Sequence, residues 1–410
     1  MRKYANSSAS DGEDIRKRRR SALIKLAVLM TFSLIIWIFS SIAWFSMNKD
    51  VDGNGMGVTT ADLPFEVAVS APYTNSPDYS SLLQSQLSYN TSAHETSGNV
   101  GGIKCLMNDA TADPTNPMRG MQPGSYGSIT FMIKPKITGT YTIHFDIAAV
   151  GYHAEFETDN AGALQPNILK NTTVNGESVP VFYSLADYAE LQSGIISELE
   201  AISSPTPEQR EKLASAREDV ANSPKASRFL KGHILFFENW SSSTKYYSDF
   251  IDPEIGFDRT YTFTADDVAG TMTAARTEEL TVTLYWIWPN TFAQIVLDNG
   301  NTYLNERDAA MFGSTQPAIS GQTPREKMIA YIASHSDLFF ESTNAVFSDT
   351  IDPDSGEVTE TAASKIAALI AGLSSNPDDI VPLNNGYNNS DQIIGENVQI
   401  LFTEITASVP

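Results

Sequence analysis

The chain has 410 residues, 41% of them hydrophobic, with 27 Lys+Arg against 49 Asp+Glu. That apolar content suits a packed globular protein and argues against a disordered stalk. The formal charge of −22 argues against nucleic acid as a partner, and a single cysteine, Cys105, excludes an internal disulfide and any cysteine-cluster metal site.

Residues 1–21 read as a basic cytoplasmic N-terminus ending in Arg16-Lys17-Arg18-Arg19-Arg20. Residues 22–47 hold an apolar run, Leu26 to Phe45, of 20 residues. As a helix it spans about 30 Å, the thickness of a bilayer's hydrocarbon core. Basic residues stay inside, so the chain after about residue 48 is expected outside the membrane. Ser41-Ile42-Ala43 is a small-x-Ala site, so cleavage between Ala43 and Trp44 and retention as a transmembrane anchor are both open. Residues 1–25 carry +5, from eight basic and three acidic side chains, which leaves −27 of the −22 total on the exported part.

Residues 48–290 are expected to form an antiparallel β-sandwich, jelly-roll-like and mainly β. Alternation marks strands at Leu63–Val69, Ile129–Ile133 and Tyr141–Ile147, with the turn Gly120–Ser125 leading into the second. Further strands fit Arg259–Thr264 and Leu280–Trp288. Phe131, Ile143, Phe145, Val282 and Trp286 should point into the core. Residues 184–220 interrupt the pattern as a helical insertion, broken at Ser203–Pro207, with Leu185, Tyr188, Leu191, Ile195 and Leu199 along one face. Residues 291–410 read as a C-terminal extension with helices at Thr323–Ser334 and Thr361–Leu373 and a final strand at Val398–Ala407.

Two short stretches recur. His233-Ile-Leu-Phe-Phe-Glu238 is echoed by His335-Ser-Asp-Leu-Phe-Phe-Glu341, and the motif Ser-Asp-x-Ile-Asp-Pro-acid-x-Gly occurs at 248–256 and 348–356. A duplicated turn explains the second pair most simply, because acid–Pro turns are common without metal. The sharper alternative is a pair of cation sites, Asp249, Asp252 and Glu254 in one copy and Asp349, Asp352 and Asp354 in the other. Loosely bound calcium is the cation such carboxylates would take; no other cofactor is expected. Asp50-x-Asp52-x-Asn54-Gly55 resembles half a calcium loop, but Ala61 stands where the bidentate glutamate belongs.

The five histidines, His94, His144, His153, His233 and His335, form no H-E-x-x-H pair. No G-x-S-x-G elbow, phosphate loop or dinucleotide fingerprint occurs, so no catalytic residues are assigned. Trp286 and Trp288 share one side of an alternating strand. They fill a core in the plainer reading and stack on sugar rings in the sharper one.

With Ile42-Ala43-Trp44-Phe45-Ser46, Gly55-Met56-Gly57-Val58, Met121-Gln122-Pro123-Gly124 and Ile137–Tyr141 in view, the chain resembles the TasA/camelysin family of exported matrix-fibre subunits. The resemblance covers residues 40–150 and 255–290 and implies a sandwich with self-association outside the cell. Camelysin-type relatives are classed as peptidases, an activity that the lack of a zinc motif argues against here. The expected function is a non-enzymatic cell-surface or matrix protein, a fibre subunit that assembles by strand addition. The alternatives are a membrane-anchored monomeric module that binds a polysaccharide or another surface protein, and a secreted peptidase-like enzyme.

Overall fold

The computed structural model describes residues 63–69, 101–107, 121–158, 164–174, 177–180, 182–305, 308–341 and 345–409. The cytoplasmic stretch, the membrane segment with Ala43 and Trp44, and the half calcium loop lie outside these residues. Strands β1 (Phe65–Val69), β2 (Gly101–Leu106), β3 (Tyr126–Pro135) and β4 (Gly139–Ala154) come first. Two small hairpins follow, β5 (Phe156–Thr158) with β6 (Leu164–Leu169) and β7 (Asn171–Val174) with β8 (Glu177–Pro180), and then β9 (Phe182–Ser184).

Helices α1 (Leu185–Glu200) and α2 (Pro207–His233) form the expected insertion. Ser184 caps α1 by accepting from Asp187 N, and Thr206 with Gln209 makes a reciprocal capping box at α2, which has Pro207 in its first turn. The insertion runs past residue 220 to His233, where a β-branched and aromatic run takes the chain into a strand. Along α1 only Leu185 and Tyr188 are buried, and Leu191 is exposed.

Then come β10 (Leu235–Trp240), β11 (Tyr247–Ile251), β12 (Phe257–Phe263), the short helices α3 (Ala265–Val268) and α4 (Ala274–Glu279), and β13 (Thr281–Ile287). The remainder contains α5 (Ala293–Val296), α6 (Pro324–Ser334), the hairpin β14 (Thr350–Ile351) with β15 (Val358–Glu360), α7 (Ala362–Gly372), α8 (Ile380–Asn397) and β16 (Ile400–Ser408).

All strand pairings are antiparallel. One sheet runs β1-β3-β13-β10-β11, and the other runs β12-β4-β16-β2 with β9 on the far end of β4. Both contribute to one core, where Phe65, Phe131, Ile143, Phe145, Val282, Trp286 and Ile405 meet. The five residues expected inward are all buried. A large apolar side chain removed from water in this way contributes about 2–3 kcal/mol.

Two features differ from the mainly β expectation. Helix and strand are present in similar measure, because the outer face of the first sheet is roofed by helices rather than by water. Leu235, Phe237, Tyr247 and Ile287 form a second core there with Met328, Ile332, Ile366, Leu383 and Tyr387. A strand with apolar residues on both faces needs cover on both. The second difference is the boundary at residue 290. Residues Leu63–Pro410 form a single unit, and β16 lies between β4 and β2, in register Ile405↔Ile147 and Ile405↔Ile103. The last strand therefore completes the sheet that the early strands begin.

Candidate functional site

The most constrained polar cluster lies where α2, β13 and α8 converge. His233, the last residue of α2, is completely buried. Its Nδ1 is 2.6 Å from Asp391 Oδ1, and its Nε2 lies 3.1 Å from the Phe339 carbonyl. The Trp288 indole donates to the same Asp391 oxygen at 2.7 Å. Tyr387, one turn before Asp391 on α8, stacks on the imidazole with centroids 3.9 Å apart and planes 12° apart. Burial pushes its hydroxyl well above the ordinary tyrosine value.

A carbonyl only accepts, so His233 Nε2 carries a proton. The proton on the Nδ1–Oδ1 line then makes either an imidazolium–carboxylate pair or an imidazole–carboxylic acid pair. The four side chains are all buried, and their hydrogen bonds tie three elements together. The close approach continues nearby: a Cβ at Gly232 would run into the Leu338 carbonyl.

A second polar group is exposed on the outer face of β12-β4-β16. His144 Nδ1 is 2.7 Å from Asp258 Oδ1 across the strand pair, and Nε2 is 3.2 Å from Asp146 Oδ1. The hydrogen bond to Asp258 is the chief reason that His144 titrates above the ordinary histidine value. Thr142–Thr260 and Thr140–Thr262 continue the row with hydroxyl pairs at 3.0 Å. The face is a polar ladder, and the two ring nitrogens of the imidazole face the two carboxylates.

Two carboxylates of the duplicated motif, Asp252 and Asp352, act as turn caps. Asp252 Oδ1 accepts from Glu254 N at 2.8 Å, and Asp352 Oδ1 accepts from Asp354 N and Ser355 N at 2.8 and 2.9 Å. Each turn closes on a left-handed glycine, Gly256 with φ 69 and Gly356 with φ 70. The copies differ in use: the first carries the chain from one sheet to the other, and the second joins β14 to β15. Asp249 accepts from Asn239 Nδ2 at 2.7 Å, Asp349 accepts from Ala362 N at 2.7 Å, and Glu254 faces His335 at 3.7 Å. Five of the six carboxylates thus have a named partner, while Asp354 contributes its backbone N–H, and among the described residues no group of three His, Cys, Asp or Glu side chains is placed to hold a metal ion.

Trp286 and Trp288 are 1% and 3% exposed, so neither ring presents a face to a sugar. This corrects the stacking alternative, since both rings fill the shared core. Sequence reasoning singled out His233 only through its repeat and did not find Asp391, which is one acid on a polar helix.

The sheet edges are treated unequally. Tyr247, on edge strand β11, donates to the Met311 carbonyl at 3.0 Å and accepts from Gln316 Nε2 at 3.0 Å. On β12 the Phe145 carbonyl of β4 faces Gly256, which turns the backbone groups of Asp258, Thr260 and Thr262 to the open side. There Arg276 Nη2 donates to the Thr262 carbonyl at 2.5 Å. On β1, Ile133 N bonds the Leu280 carbonyl, so Glu66 and Ala68 face β3 while Phe65, Val67 and Val69 turn their backbone outward. On β2, Met107 N bonds the Leu401 carbonyl, which leaves Gly102, Lys104 and Leu106 outward. Among the described residues these two edges have no capping partner.

No family model, curated protein or solved structure matches the chain. No helix among the described residues is long and apolar enough to cross a membrane.

Proposed function

We propose that this chain is a non-enzymatic exported surface or matrix protein whose body, a jelly-roll-like β-sandwich roofed by helices, self-associates by strand addition. The observation that carries the reading is the asymmetry of the edges. β11 is engaged at Tyr247 and β12 at the Thr262 carbonyl, whereas among the described residues nothing engages the outward backbone groups of β1 and β2. Uncapped edges recruit strands. The segment Trp44–Thr60 immediately precedes β1 and carries Trp44, Phe45, Met47 and Val51, apolar side chains that gain from burial in a neighbour. The resemblance to the TasA/camelysin family supports the same reading.

Export follows from the basic cluster Arg16–Arg20 before the apolar run. Cleavage after Ala43 releases the subunit for assembly; retention leaves an anchored module whose partner is another surface protein or a polysaccharide. Calcium acts in this reading as a loosely held counter-ion to the charge of −27 on the exported part.

Mass spectrometry of the secreted protein reads the mature N-terminus, with Trp44 expected. Deleting Trp44–Thr60 from that form leaves a folded monomer. Filaments that form as readily after the deletion would refute strand addition.

A further inference from the structure

We propose that Arg276 is an edge lock, which keeps β12 from pairing with β12 of a second copy of this chain. The backbone groups of Asp258, Thr260 and Thr262 point away from β4 and are free to extend the sheet. Among the described residues only one of those positions is engaged, at the Thr262 carbonyl, and Arg276 engages it. The guanidinium is itself held in place. Its Nε and Nη2 donate to the two oxygens of Asp267 at 3.0 and 2.8 Å, and Nη1 donates to Glu279 at 2.7 Å. Asp267 is in turn fixed by Thr264 N at 2.8 Å, the box that starts α3 directly after β12. The fork therefore arrives at the strand edge prepositioned.

The occupant follows from the register. An antiparallel β12–β12 pair with its two-fold axis at Thr260 sets Asp258 opposite Thr262 of the second copy. It sets Arg259 opposite Tyr261 and Phe257 opposite Phe263. No like charges meet, aromatic faces aromatic, and Arg259 gains a second ring. Asp258, Thr260 and Thr262 are the residues whose N–H and C=O groups such a pair uses. Pairing requires the Thr262 carbonyl, which makes the lock and the second copy mutually exclusive. This inference concerns the opposite side of the sheets from the β1 edge and does not depend on assembly there.

The test uses full-length chain in detergent at physiological salt, with Cys105→Ser and Thr260→Cys as background and a short bismaleimide as probe. With Arg276 present the chain stays monomeric. Arg276→Ala raises crosslinked dimer about tenfold, the weight of one lost charge-assisted hydrogen bond. Moving the cysteine to Asp258 abolishes the crosslink, because the two copies of that position are about 14 Å apart in this register. Thr260→Pro, read with the cysteine at Thr262 joined to one at Asp258, restores the monomer by removing a needed N–H. If Arg276→Ala fails to fold by circular dichroism, Arg276→Lys replaces it; lysine keeps a charge for Asp267 and loses the fork. A folded, monomeric Arg276 variant would overturn the proposal. So would a dimer that crosslinks equally at Asp258 and Thr260, or one that disappears on deleting Trp44–Thr60.

Discussion

His233 and Asp391 are 158 residues apart in sequence and meet at 2.6 Å inside the protein. One comes from the end of the helical insertion and the other from the last helix, and Trp288 at the end of β13 donates to the same carboxylate oxygen. Deletion of the shared carboxylate therefore leaves the Trp288 N–H and the His233 Nδ1 buried without that partner. Asp391→Ala is expected to cost about 3–5 kcal/mol, and Asp391→Asn less, because an amide oxygen still accepts one bond. Urea unfolding followed by fluorescence measures both. A loss under about 1 kcal/mol for Asp391→Ala would show that the junction does not hold the elements together.

His144 predicts a pH dependence of opposite sign to ordinary acid denaturation. Its hydrogen bond to Asp258 favours the charged ring, so its value is higher in the folded chain than in the unfolded one. The stabilisation is complete below the unfolded value of about 6.5 and is lost as pH climbs through the folded value. Thermal melts of native chain and His144→Gln should therefore diverge below neutral pH and converge above it. An imidazole NMR titration should also move downward in Asp258→Asn; an unmoved midpoint contradicts the assigned cause.

Asp267 predicts the acid side. Its pair with Arg276 holds the carboxyl down to about 2. That contribution is present above the unfolded carboxylate value of about 3.9 and disappears as pH falls through about 2. Asp267→Asn should flatten this limb of the stability curve. Equal slopes for the two proteins would mean that other carboxylates govern acid unfolding.

The duplicated turns give a matched comparison. Both closing glycines are left-handed, which costs an alanine about 1–2 kcal/mol. At Gly256 a Cβ also meets the Phe145 carbonyl, whereas at Gly356 it meets open space. Gly256→Ala should lower the melting temperature clearly more than Gly356→Ala. Equal losses would mean that the turn between the sheets relaxes freely.

Much of the strand framework was legible because a half-buried strand writes alternation into the chain. Tyr141 to Ile147 and Phe257 to Phe263 show it, and both lie in the second sheet, whose outer face is polar. Two helix starts were legible for a similar local reason, since Thr206 and Thr323 cap within three residues of themselves. The helices at 324–334 and 362–372 were legible too, but their place as a roof on the first sheet was not. Leu235-Phe236-Phe237 has no alternation to read, because its two faces enter two different cores.

The amino-acid sequence by itself determined the acidic charge, the alternation of the half-buried strands and the duplicated turns with their closing glycines, since each rests on neighbours in the chain. Tertiary structure alone decided which aromatic rings are buried, which carboxylates are spoken for and which sheet edges are capped. Trp288 is a core residue because Asp391 takes its N–H, and β12 is capped because Arg276 folds back on Thr262. Contacts of that kind join residues distant in the chain, and a hydrogen bond between distant residues leaves no period in the sequence.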